Sequence, residues 1–328
     1  MTDRNSVLQP GLFPPAEHEQ PLHEAAELER MRQALEASGH YRVLRQYQRR
    51  ASYNEGTAQA PAALRRGVYL DVETTGLEQS DKIIELALVT FEFDDAGHIY
   101  RVLDELDEFE DPGQAISREI TDLTGITNDQ VKGKRIPEDA VAALVEPADL
   151  IIAHNASFDR PFVEARLPVF EKKRWACSVT DVDWRRHGFS GRNLEYLAMK
   201  RGFVFEGHRA INDCLAGVEL LTMPLPSQGG PPTLAGLLTN SARSSMRLWA
   251  EGSPFDSKDR LKAKAYRWNA AAKTWWRDVA AEEFEDELEW LAGAVYRIRP
   301  PLPYFEIDAV RRYSARIPDS PPADALRR

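Results

Sequence analysis

The stretch Val68-Tyr69-Leu70-Asp71-Val72-Glu73-Thr74-Thr75-Gly76 decides how the rest of this 328-residue chain reads. Val68–Val72 is a short apolar run of strand type, and it runs out into carboxylates and small, turn-forming residues. On a strand, side chains two positions apart share a face, so Asp71 and Glu73 stand side by side. In an otherwise apolar run that pairing is costly, because like charges repel and burial penalises each of them. A divalent cation between the carboxylates resolves the conflict. Two strand-end acids open to water are the plainer alternative for an isolated Asp-x-Glu.

Outward from this strand, Lys82–Phe93 is longer and rich in β-branched and aromatic residues, and His98–Leu103 pairs with it across the Asp94–Gly97 turn. Ser117–Leu123 and Glu138–Val145 read as helices, the second with Pro137 at its start. Leu150–Ala153 is a second buried strand, followed by a helix from Phe158 to Ala165; Asn193–Arg201 and Ile211–Leu221 complete the series. This order predicts an α/β domain over residues 67–224, a sheet with helices on its faces. Residues 1–66 divide into a Pro-containing tail and a helical segment. There Leu28, Met31, Leu35, Val43, Leu44 and Tyr47 suit an amphipathic helix pair broken at Ser38-Gly39, and Ala58–Ala63 reads as a linker. Pro224–Pro232 is Pro/Gly-rich, giving a linker over 225–232, a small accessory domain over 233–299 and a Pro-broken tail over 300–328.

Two further segments carry acids at comparable places. Leu150–Ala153 runs into His154-Asn155-Ala156-Ser157-Phe158-Asp159, so Asp159 falls in the first turn of a helix after a strand, where ligands gather in α/β folds. A carboxylate complementing the helix N-terminus explains the same residue. His154 and Asn155 read as polar groups that fix the loop. In His208-Arg209-Ala210-Ile211-Asn212-Asp213 the histidine is in a loop, and Asp213 lies one turn into a helix among Ile211, Cys214 and Leu215.

Taken together, Asp71-x-Glu73 with Thr74-Thr75-Gly76-Leu77, then His154-Asn155-x-x-Phe158-Asp159, then His208-x-x-x-x-Asp213 resemble the three motifs of the DnaQ-like (DEDDh) 3′→5′ exonucleases. The resemblance covers about residues 67–224, with Ile120–Thr127 and Asn193–Ala198 as further similar segments. It implies a ribonuclease H-like fold, with a mixed sheet and flanking helices. It also implies a catalytic set of Asp71, Glu73, Asp159, His208 and Asp213. Asp71, Glu73 and Asp213 would hold two metal ions directly, Asp159 would help partly through water, and His208 would serve as the general base. Carboxylate oxygens suit Mg²⁺ or Mn²⁺ better than zinc. Two such ions activate water and stabilise the leaving oxygen, and a histidine titrating near neutrality suits proton transfer. Thr74, Thr75 and Leu77 resemble positions that grip the terminal nucleotide near its 3′-hydroxyl, and Asn155 and Phe158 join them as substrate-binding candidates. The implied partner is nucleic acid with a free 3′ end. DNA is favoured, in proofreading, repair or degradation, because the segment looks most like polymerase-proofreading exonucleases. Exoribonucleases share all five catalytic positions, and a binding module without turnover is a third reading.

The bulk properties bound these readings. With 43% hydrophobic and 29% charged residues the composition is that of a soluble globular protein, and no run approaches the ~18 apolar residues of a membrane span. The first ten residues lack a charged-then-apolar layout. Cys177 and Cys214 are too few and too far apart for a disulfide framework or a zinc site, so a cytoplasmic setting is expected. A net charge of −10 argues against a protein that coats nucleic acid electrostatically, though not against one that meets a phosphate through metal ions. The charge is uneven. Six of the eight residues Asp104–Asp111 are acidic, whereas Arg243–Arg277 holds nine Lys/Arg against three acids. That basic stretch is interleaved with Trp249, Phe255, Tyr266, Trp268, Trp275 and Trp276, and Lys264–Asn269 and Lys273–Trp276 read as two short strands around a turn. Such a segment is either a single-strand-binding surface or a small β-rich core with its cations solvated.

Overall fold

The computed structural model describes residues 25–53, 63–226 and 230–328. The chain divides into two compact units, Met1–Arg45 and Gln46–Arg328. In the first, α1 (Ala25–Ala37) carries an Arg32 clasped between Glu29 and Glu36. It ends at Ser38-Gly39, with Gly39 at φ +73°. The second helix of the expected pair does not form; Tyr41–Leu44 take no regular structure. The aromatic and β-branched residues there lose side-chain freedom in a helix. Residues 1–24 and most of the expected linker around Pro61 lie outside the described residues.

In the second unit, β1 (Arg65–Thr74), β2 (Ile83–Phe93), β3 (Ile99–Phe109), β4 (Leu150–Ala153) and β5 (Trp175–Cys177) form one sheet in the order β3-β2-β1-β4-β5. The first three strands are antiparallel neighbours, and β4 and β5 run parallel to β1. With its flanking helices this is a mixed α/β sheet, as expected. All eleven residues of β2 are buried, which is why it reads as an almost unbroken apolar run. Tyr69, Val89 and Phe91 pack on one face with α5 (Leu194–Arg201) and α6 (Ala210–Thr222). Leu70, Leu86, Leu88 and Ile151 pack on the other with α3 (Glu138–Val145) and α4 (Ala156–Arg166). The short α2 (Arg118–Thr124) is capped by the Ser117 side chain.

Two strands differ from expectation. β3 runs on to Phe109 instead of ending near Leu103, so most of the acid-rich run is strand. Asp104, Glu105, Asp107 and Glu108 are exposed on it while Leu106 is buried. A charged edge strand resists pairing with another chain. β5 has three residues and no sequence signature; it exists because Ile151–Ala153 pair with it and because the Trp175 N–H donates to Ala309.

A second sheet, wholly antiparallel, is built from β6 (Ser245–Ala250), β7 (Arg267–Asn269), β8 (Thr274–Ala280), β9 (Pro303–Ile307) and β10 (Leu326–Arg327), ordered β10-β9-β6-β8-β7. The helix α8 (Phe284–Leu291) packs Phe284, Leu288 and Leu291 against Leu248 and Ala250. The expected tail over 300–328 is therefore corrected: it supplies β9 and β10. Residues 233–241, assigned above to the accessory domain, form the helix α7 (Thr233–Ser241), which packs Leu234 and Leu237 into the core shared by β1, β2, α5 and α6. Pro224 and Pro232 pair across the expected linker, of which residues 227–229 lie outside the described residues.

The close approach of α6 to β1 depends on Gly217. A Cβ there would sit 2.1 Å from Cζ of Tyr69, whose hydroxyl is held 2.9 Å from Ser178 Oγ. Overpacking of this kind costs ~1–3 kcal/mol. Gly217→Ala is expected to lower the melting temperature accordingly, and Tyr69→Phe, which leaves the ring in place, is expected not to relieve the loss.

Candidate metal and active centre

β1 and β4 are parallel with Leu70 opposite Ala153, so their carboxyl ends lie on the same side of the sheet. Beyond Ala153, Asn155 adopts φ +83°, a left-handed conformation that Asn tolerates better than most residues. That turn sends the chain into α4 and puts Asp159 in its first turn. Asp213 lies likewise in the first turn of α6. Both positions favour a carboxylate through the helix dipole. Asp71 and Glu73 fall on the Tyr69 side of β1, the side covered by α6. The pairing of β1 with β2 shifts register between Glu73 and Thr74, a bulge of the kind that re-aims side chains beside functional sites.

Carboxylate oxygens of Asp71, Glu73 and Asp213 lie within 4.8 Å of one another. Asp159 is buried and accepts a hydrogen bond of 3.2 Å from the Val72 N–H. Burial pushes the Asp71 carboxyl well up, and the charges of Asp159, Asp213 and Glu73 push it further. Glu73 is raised to about 8, by burial and then by Asp213 and Glu85. Asp213 is raised to about 7, by burial against the opposing pull of the Arg209 and His208 amides. Asp159 is raised by burial in spite of the Val72 amide. Four such groups cannot all be ionised together without a compensating positive charge. One oxygen of Asp213 is buried without any hydrogen-bond partner. An orphaned carboxylate oxygen facing two more carboxylates, in an all-oxygen donor set, fits a hard divalent cation.

A fifth acid was missed by reading the sequence. Glu85 is fully buried opposite Glu73 on β2. Its Oε1 accepts from Arg209 Nε and Nη2 at 3.0 and 2.7 Å, and its Oε2 accepts from the Ala210 N–H at 2.9 Å. This pairing anchors the start of α6, and with it the spacing between His208 and Asp213. Glu85 and Glu92 are the two acids inside the apolar run Lys82–Phe93, and their presence there was the available signal. His208 itself is exposed, with φ +61°.

The remaining predicted residues surround this cluster. The Thr74 hydroxyl is buried and donates to Gly76 O at 2.5 Å. The Thr75 hydroxyl donates to Asp81 Oδ1 at 2.9 Å and accepts from the Lys82 N–H at 3.0 Å. Both hydroxyls thus brace the loop that follows β1. Leu77 on that loop is 83% exposed. Asn155 is exposed, and Phe158 is half-buried against Phe162, with ring centroids 5.1 Å apart. His154 has a structural part: its Nε2–H donates to Arg192 O at 2.8 Å and its Nδ1 lies 2.8 Å from Ser178 Oγ. Burial lowers its pKa to about 4, which keeps it neutral.

Residues 68–221 match the RNase_T family, described as "Exonuclease". The exonuclease family thus matches just under half of the chain, the part that holds the carboxylate cluster. Among curated proteins, the chain is 35% identical over 159 residues to a PolC-type DNA polymerase III of Listeria monocytogenes, covering 46% of this chain and 10% of that protein. It is 31% identical over 158 residues to the PolC-type DNA polymerase III of Streptococcus suis, covering 44% and 10%. The match thus spans about a tenth of the length of these relatives. Among solved structures, similarity extends to Exonuclease X in complex with 5′-overhanging duplex DNA (22% identity, TM-score 0.41, 53% of this chain and 99% of that one). It extends also to E. coli Exonuclease I bound to a dA13 oligonucleotide (18%, 0.38, 48% and 40%). Among the described residues no helix is long and apolar enough to cross a membrane.

An acid whose folded pKa lies above its unfolded value binds more protons in the native state, so its contribution favours folding at low pH. It is lost as pH rises from the unfolded value near 4.5 through about 8 for Glu73. In EDTA the melting temperature is therefore expected to fall between pH 5 and pH 8. Mn²⁺ should restore it more strongly at pH 8 than at pH 5, and Asp213→Asn should flatten the metal-free profile. Calorimetry across that range checks all three; a metal-free melting temperature that rises toward pH 8 would contradict the electrostatic account.

Proposed function

We propose that this protein is a metal-dependent 3′→5′ exonuclease acting on DNA. The observation that carries the reading is the convergence of Asp71, Glu73 and Asp213 within 4.8 Å at the carboxyl end of the central strand β1. Asp71, Glu73 and Asp213 would hold two divalent ions, Mg²⁺ or Mn²⁺, and Asp159, fixed by the Val72 amide, would complete the set. Such ions would supply charge neutralisation for the phosphodiester and lower the pKa of water. His208 stands next to the Arg209 that Glu85 immobilises, so its backbone is anchored while its ring is free to swing. It takes the proton of the attacking water at an imidazole nitrogen. Leu77 wedges against the terminal base. Thr74 and Thr75 hold the loop whose main chain meets the 3′-hydroxyl, with Asn155 and Phe158 lining the approach. The choice of DNA is supported by the similarity to PolC-type DNA polymerases.

Asp71→Asn is expected to abolish release of mononucleotides from 3′-labelled single-stranded DNA while leaving the melting temperature in EDTA at least as high as wild type. His208→Ala should lower kcat by ~10²–10⁴, the range for loss of a positioned acid–base group, without weakening Mn²⁺ binding. A 3′-phosphate should block the reaction and a circular strand should remain uncut. Cleavage of the circle would remove the end requirement, and faster digestion of RNA than of DNA would reassign the substrate.

A further inference from the structure

The second sheet resolves its aromatic residues one by one. Trp249 is fully buried, with its indole N–H directed at Asp319 O, and belongs to the packing. Trp276 lies beneath the guanidinium of Arg247, 4.2 Å from the ring centroid, with Arg267 at 5.3 Å. Trp268 and Trp275 face each other across β7 and β8, 5.3 Å apart. Trp268 is 50% exposed and Phe255 is 78% exposed, and neither is needed to close the core. With Ser253, Pro254, Lys258 and Lys262 these three rings line a cavity of about 380 Å³.

The cations sort in the same way. Lys264 and Arg277 are paired with the buried Glu287, and Arg247 with Asp278. Lys258 and Lys262 form no ion pair among the described residues. Lys258 Nζ sits 4.6 Å over the Phe255 ring. Among the described residues no carboxylate lines the cavity. Exposed ring faces take a base by stacking, and unneutralised ammonium groups beside them take its phosphate. The cavity falls in the range of small-molecule sites, ~300–1,000 Å³, roomy enough for a base or two of an unpaired strand. A proline-rich peptide would use the rings but not the two lysines.

We propose that the cleft between Phe255, Trp268 and Trp275, rimmed by Lys258 and Lys262, is a second nucleic-acid site that stacks unpaired nucleotides of a single strand. The choice of nucleic acid as occupant rests on the nuclease reading above; the pocket itself does not use the carboxylate cluster. The test is fluorescence anisotropy of the full chain with labelled dT4 and dT15 in EDTA, where no turnover complicates binding. Trp268→Ala should weaken dT15 at least ~5-fold, the factor matching the lower bound of base stacking on a side chain, and alter dT4 less. Lys258→Gln with Lys262→Gln should reduce the salt slope for dT15 by about 1.4, two phosphate contacts at ~0.7 each. Circular dichroism verifies folding of each variant. Unchanged dT15 affinity and salt slope in the folded variants would overturn the proposal, as would a proline-rich peptide that binds through Trp268 while dT15 does not. Digestion by the wild-type protein in Mn²⁺, measured separately, reports on the nuclease reading alone.

Discussion

Mutual repulsion among Asp71, Glu73, Asp159 and Asp213 is the constraint around which the larger sheet is organised. Two unit charges 4.8 Å apart repel by on the order of 3 kcal/mol at an effective dielectric constant near 20, and each carboxylate is also partly stripped of water. The Val72 amide and the Arg209 charge offset only part of this, and the acids cannot move apart, because the strand and the two helices that present them are fixed by apolar packing elsewhere. Val68, Leu70 and Val72 are locked on one face of β1 and Tyr69 on the other. The cluster is stable as a geometry and unstable as a set of charges, which is the condition that makes cations or protons obligatory partners.

Two ion pairs, each with a buried carboxylate, keep that geometry from drifting. One is Glu85 with Arg209, described above. The other lies directly behind Asp159: Arg160 is fully buried, pairs with Glu164 through Nε at 2.8 Å and stacks on Trp175 at 5.1 Å. Its remaining donors reach the carbonyls of Val310 and Arg312. Glu164 in turn accepts from Ser314 Oγ at 2.6 Å and Arg316 Nη2 at 3.0 Å. Arg312 and Tyr313 reach Asp181 at 3.0 and 3.1 Å. A buried pair satisfied on all sides is not by itself strongly stabilising, but removing one partner strands the other, at a cost of ~3–5 kcal/mol. The segment 308–316 therefore acts as a brace on the helix that carries Asp159, and the C-terminal strands β9 and β10 flank that brace.

What the sequence revealed and what it hid follow from how local each signal is. Asp71-x-Glu73 was legible because a period of two fixes two side chains on one face within three residues. The helices at Glu138–Val145 and Asn193–Arg201 were legible because their starts carry Pro137 and the capping Asn193. Glu85 was hidden because its meaning lies in Arg209, 124 residues away. The brace was hidden for the same reason, since Arg160 and Glu164 look like an ordinary helical pair four residues apart until residues 310–316 are placed on them. β5 is too short to carry a period, and the acid-rich part of β3 imitates a solvated loop because its edge position leaves the acids in water.

The charge distribution limits how a polyanion can approach. The exposed acids of β3 and the unmetallated cluster both repel phosphate, and in a chain of net charge −10 there is no global attraction to offset them. At physiological ionic strength exposed charges are screened beyond about 8 Å, so what matters is the local field along the path of the strand. Bound cations reverse the sign at the carboxylate centre itself. Away from it, attraction falls to cations not already neutralised by carboxylates. On the second sheet Glu287 and Asp278 consume several of those, leaving Lys258 and Lys262 next to exposed rings. For the proposed ring cleft, selectivity for an unpaired strand would need no base-specific contacts: a ring pocket accepts a base only when no complementary strand covers its face.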